Sequence, residues 1–263
     1  MTDNAPPVPA PDQSRDAPPT PAPASASASA SASASASASV EESGPLRLAV
    51  SRHIRTLQSG YIDPADRAHS VQALARLRRG VGRQPTETPD LWGMVGVEAF
   101  HTAYLARRGR PAGEAETLRA ERSAHAAVTL WAVHQQSNRS RGMHVAGGPS
   151  LGTAVRRLMS GTDADDPVRK RLVRAGTASS LDVLAQRLRD LVTLLRAAEV
   201  PLDYGLLAEQ LDQWQRPGGP GQVRQAWGRS FHAYRAPNPR TAKDGDVPVV
   251  QLETAANEMR ENE

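Results

Sequence analysis

The chain is 263 residues long, contains no cysteine, and has a formal net charge of +4 with only 4% aromatic residues. That composition excludes a disulfide framework and a thiolate metal site and makes a reducing cytoplasm the simplest home, while no segment approaches the roughly 18 consecutive apolar residues of a membrane span. The charge is unevenly spread: residues 1–44 carry −4 and residues 237–263 carry −3, which leaves +11 on residues 45–236 and points to a polyanionic partner or an acidic protein surface.

Residues 1–44 read as a disordered tail, Pro- and Ala-rich at first and then a strict Ala-Ser alternation from Ala24 to Ser39 with no large side chain to bury. The N-terminus lacks a basic stretch followed by an apolar core, so no signal peptide is expected. From Leu46 the pattern changes. Leu46, Ala49, Val50, Ile54 and Leu57 form a helical stripe that stops near Gly60. Asp63-Pro64 supplies an N-cap and a first-turn proline for a second helix through Leu77, whose end is crowded by Arg76, Arg78 and Arg79. Those cations either complement the helix dipole or await a phosphate.

Thr88-Pro89-Asp90 predicts a third helix, with Leu91, Trp92, Val95, Val97 and Phe100 as core and Arg107, Arg108 and Arg110 at its end. The segment from Glu114 to Gln136 turns almost wholly apolar between Ala124 and Val133, as a central buried helix should. His125 and His134 ride on it, nine residues apart without a third ligand, so hydrogen-bonded histidines are favoured over a metal site. Arg139 and Arg141 then lead through Gly147-Gly148-Pro149 to Ser150, an N-cap for a helix with Leu151, Ala154, Val155, Leu158 and Met159 on one face. This cationic loop feeding a helix start reads either as a place for phosphate or as a surface loop made basic by an Arg-biased genome.

Asp166-Pro167 starts a helix bearing Arg169, Lys170, Arg171 and Arg174, cations that repel one another unless an anion or acidic partner compensates them. Ser180 to Arg196 is the clearest amphipathic helix, with Leu181, Leu184, Ala185, Leu188, Leu191, Val192 and Leu195 on one face and Arg187, Arg189 and Arg196 off it. Leu206 to Trp214 and Val223 to Phe231 form two more helices, separated by Pro217-Gly218-Gly219-Pro220, and residues 237–263 read as an acidic disordered tail. The fold class expected is therefore all-α, with about nine helices over 45–236.

Phosphate-binding glycine loops, the paired-histidine zinc motif and the nucleophile elbow are all missing from the sequence. His144 and Ser150 lie near each other, but no acid stands ready to orient the histidine, so neither an enzyme nor a metal or other cofactor is expected.

Five segments together resemble the CasB small subunits of type I-E CRISPR Cascade complexes: ALARLRRG at 73–80, MHVAGGPSLGTAVRRL at 143–158, LAQRLRDLVTLL at 184–195, VPLDYGLLAEQLDQW at 200–214 and VRQAWGRSFHAY at 223–234. The resemblance spans about 46–235, leaves both tails uncovered, and departs from the family at Leu172, where members often carry an aromatic. It implies a non-catalytic helical protein of two packed subdomains, about 45–160 and 161–236, paired head to tail with a second copy beside crRNA and the other Cascade subunits. Its implied task is to hold the R-loop open by contacting the displaced non-target DNA strand and bracing the guide–target duplex. Matching motif positions assigns DNA contact to Arg78, Arg79, Arg174 and Arg189, and then to Arg119, Arg122, Arg139, Arg141 and Arg216. The competing reading is a basic helical adaptor that binds protein without touching nucleic acid.

Overall fold

The computed structural model describes residues 43–63, 67–159, 161, 163 and 165–234. The expectations for the two tails lie outside these residues, apart from Ser43 and Gly44. Among the described residues there are nine α-helices and no strand: α1 (Pro45–Ile62), α2 (Arg67–Leu77), α3 (Val97–Arg108), α4 (Glu114–Gln135), α5 (Leu151–Arg157), α6 (Pro167–Gly176), α7 (Leu181–Ala197), α8 (Tyr204–Trp214) and α9 (Gly219–Ala233).

The body is built around α4. Its run from Ala120 to Ala132 is buried on all sides except Glu121 and Arg122, because small alanines let neighbouring helices approach while Val128, Leu130 and Trp131 fill the space between them. Helices α1, α2, α7 and α8 pack directly on it, and α9 closes over α5 and α8. Trp131, fully buried, donates its indole N–H to Gln58 Oε1 at 3.3 Å, and Trp214 stacks on Trp227 with ring centroids 6.0 Å apart. The side chains of Ser150, Asp166 and Ser180 cap α5, α6 and α7 by accepting from Thr153, Val168 and Val183 backbone N–H groups, as their positions in the sequence predict.

One expectation needs correction. The helix predicted from Thr88 begins only at Val97, because the preceding residues form separate 3₁₀ turns, Pro85–Glu87 and Pro89–Leu91, and Gly93 and Gly96 then take left-handed φ values of +73° and +77°. Trp92, read as core, consequently stands 70% exposed. At the first boundary Asp63 closes α1, its backbone N–H bonded to Ser59 O, and α2 is described from Arg67; the expected start of that helix at Asp63-Pro64 falls at residues 64–66, outside the described ones.

The histidines of α4 are hydrogen-bonded core groups. His125 Nε2 lies 3.2 Å from Gly80 O, and His134 Nδ1 lies 2.9 Å from the hydroxyl of the fully buried Tyr204. Burial pushes the pKa of His134 down from 6.5 to about 4, against a weaker upward pull from the Leu195 and Val200 carbonyls. The folded pKa is the lower one, so the unfolded chain binds the extra proton as pH falls below 6.5, and stability is lost down to about pH 4. His134 alone is expected to remove about 2 kcal/mol between pH 7 and pH 5. Urea unfolding at the two pH values checks this, and His134→Gln should flatten the difference by that amount.

Candidate nucleic-acid interface

The cationic residues are organised by α7. Its leucine face is buried against α4, so Arg187 and Arg189 are turned outward by the same spacing that hides Leu184, Leu188 and Leu191. At its middle a cleft of about 580 Å³ is lined by Gly82, Arg174, Gln186, Arg187, Arg189 and Asp190, with Val81 and Val183. Gly82 adopts φ +78°, and a Cβ there would meet Gln186 Cγ at 3.2 Å, so glycine lets the chain turn close against α7. Arg174 lies in the last turn of α6, and its backbone oxygen accepts a hydrogen bond from Arg187 Nη1, which joins α6 to α7 across the cleft. The 3₁₀ turn Arg78–Gly80 runs directly into Val81 and Gly82 of the cleft wall; Arg79 is exposed and Arg78 half-buried, and neither is itself a lining residue. Three arginines thus face one carboxylate, Asp190, and the cleft has no aromatic lining.

The other predicted residues form two further groups along the same helix. Toward its N-terminus, Arg122 Nη2 lies 3.9 Å from Asp182, which also accepts from Gln84 Nε2 at 3.0 Å. Arg119 and Arg216 share Asp212, at 3.6 Å and through Arg216 Nε at 3.1 Å. Just beyond the C-terminus of α7, Arg141 lies 3.7 Å from Glu199, and Arg139 sits 5.8 Å above the Tyr61 ring. Both belong to a loop fixed from beneath: Gln135 Nε2 donates to Asn138 O and Arg141 O, its Oε1 accepts from Met143 N, and Gln58 brackets the peptide of His144. The three groups are spread over the length of α7, about 25 Å for 17 residues.

The structure therefore separates the nine arginines by what they already touch. Arg119, Arg122, Arg141 and Arg216 each lie within 4 Å of one of the protein's own carboxylates, and of these Arg216 is hydrogen-bonded to it. Arg78, Arg79, Arg139, Arg174 and Arg189 form no ion pair among the described residues, and neither does Arg187, which lies off the apolar stripe and carries no role in the sequence analysis. Its signal was present in the sequence as a cation two residues before Arg189, but only the fold shows it reaching Arg174.

His144 and Ser150 have structural tasks. His144 Nδ1 accepts from Tyr204 N at 3.1 Å, and Ser150 Oγ is committed to its cap. No group of three or more His, Asp or Glu residues suited to a metal occurs among the described residues, and none of their helices is long and apolar enough to cross a membrane.

The family model of the CRISPR-associated protein Cse2 matches residues 73–232. Among solved structures, CasB from Thermobifida fusca is 45% identical over 73% of this chain and all of its own length, with a TM-score of 0.63. CasB from Thermus thermophilus is 22% identical, covering 70% of this chain and 97% of its own, with a TM-score of 0.46. A chain of a CRISPR RNA-guided surveillance complex is 25% identical, covering 70% of this chain and 93% of its own, also at 0.46. Comparison with curated proteins gives no match.

Proposed function

Because this chain belongs to the CRISPR-associated Cse2 family, we propose that it is the non-catalytic small subunit of a type I-E, crRNA-guided surveillance complex, acting in the cytoplasm to stabilise the R-loop by binding the displaced non-target strand. The observation that carries the proposal is the cleft at mid-α7, where Arg174, Arg187 and Arg189 face a single acid and adjoin Arg78 and Arg79. Guanidinium groups suit bidentate phosphate contacts, and without an aromatic lining the cleft would track backbone and stack no bases, giving little sequence preference. Exchange of a DNA duplex for an RNA–DNA heteroduplex is nearly balanced, so modest contacts to the freed strand decide whether the loop persists. The paired arginines at Arg119, Arg122, Arg141 and Arg216 would join in as strand contacts, exchanging a carboxylate for a phosphate. The protein would act as a homodimer among the other Cascade subunits and brace the guide–target duplex.

Reconstitution of the complex with and without this chain tests the proposal. The chain is expected to co-purify with crRNA, and its omission is expected to shorten R-loop lifetime at least about tenfold, equivalent to about 1.4 kcal/mol. Equal lifetimes would exclude it. The ion pairs at four of the nine arginines favour a second reading, a basic adaptor that meets only protein. Weak single-strand binding that does not fall with salt would support that alternative.

A further inference from the structure

The cleft beside Trp92 has the opposite character from the arginine face. Trp92 is 70% exposed, yet its ring is not loose: the indole N–H donates to Pro85 O at 3.2 Å. Successive turns hold the segment that carries it, with Glu87, Thr88, Leu91, Trp92 and Met94 backbone N–H groups bonded to carbonyls three residues earlier, and Glu87 reaching back to the Gln84 N–H. An exposed aromatic already fixed in one orientation loses little freedom when covered, which is the property of a binding anchor.

Beside the ring lies a cavity of about 450 Å³ whose apolar wall comes from Leu91, Val95 and Val97 and whose only formally charged lining residues are Glu98 and Glu121. Exposed Glu87 and Asp90 lie on the turns leading to Trp92. On a body carrying +11, this is a local reversal of sign. Phosphate is repelled by such a rim, whereas a segment presenting apolar side chains flanked by Lys or Arg is complementary to it in both shape and charge.

We propose that the Trp92 cleft docks a basic, apolar segment of another protein, so that strand binding and protein docking occupy separate surfaces of the chain. The proposal rests on the functional reading only in expecting that protein to be a fellow subunit of the crRNA-bearing complex.

A photo-reactive benzoylphenylalanine in place of Trp92, introduced into the full chain in its own cells, tests the occupant directly. Its adduct is expected on a protein segment containing Lys or Arg beside apolar residues; an adduct on nucleic acid, an adduct on a second copy of this chain, or no adduct would each overturn the proposal. If the captured segment belongs to a protein outside any crRNA complex, the docking site stands and the functional reading falls. In parallel, Trp92→Ala and the pair Glu98→Lys with Glu121→Lys are expected to reduce retention with the captured protein at least tenfold. Trp92→Ala should leave single-stranded DNA binding by the free chain within twofold of wild type, and undiminished retention of both variants would contradict the assignment.

Discussion

Replacing Arg174 and Arg189 together with glutamate is expected to weaken binding of the isolated chain to a 30-nucleotide single strand about a hundredfold near 0.15 M salt, about 2.7 kcal/mol. Neither guanidinium is held by an internal carboxylate, so each is available to neutralise a phosphate, and reversal adds repulsion to the lost attraction. The log–log salt slope should also become shallower by about 0.7 for each phosphate no longer neutralised. Arg216→Ala supplies the contrast. Arg216 must leave Asp212 to reach a phosphate, so its strand contact adds little net, and binding should fall by no more than about twofold. Fluorescence anisotropy over a salt series measures both quantities.

The second large effect concerns stability. Asp203 is 1% exposed and its carboxylate serves three elements at once: it accepts from Leu206 N at 3.0 Å as the N-cap of α8, from Gly147 N at 3.0 Å in the loop before α5, and from Arg47 Nη2 on α1 at 2.9 Å. Asp203→Ala removes all three and leaves Arg47, whose side chain is 18% exposed, without its carboxylate. Breaking a buried pair by deleting one partner costs about 3–5 kcal/mol, and over a domain of this size that lowers Tm by about 10 °C. Asp203→Asn keeps the cap acceptor and should lose about half as much. Thermal and urea unfolding followed by far-UV circular dichroism distinguishes the two.

Helix-forming information lies mostly in local spacing, which is why α4 and α7 and the caps at Ser150, Asp166 and Ser180 can be read directly from the sequence. The segment around Trp92 could not, since apolar periodicity says nothing of the left-handed backbone at Gly93 and Gly96 that delays α3 and turns the indole outward. The arginines were legible as a charge excess and as matches to family motifs, but their availability was not. Asp182 lies 60 residues from Arg122, and Asp212 lies 93 from Arg119, so those pairings exist only after α4, α7 and α8 have packed. The same holds for Arg187, whose reach to Arg174 O is a tertiary contact between α6 and α7.

The most direct measurement is the lifetime of the R-loop on target DNA held by a reconstituted crRNA-bearing complex in which this chain carries Arg78→Glu, Arg79→Glu, Arg174→Glu and Arg189→Glu. A cationic cleft that holds the displaced strand predicts normal incorporation of the variant and release of target DNA at least about tenfold faster than wild type. Normal incorporation with an unchanged lifetime would contradict it.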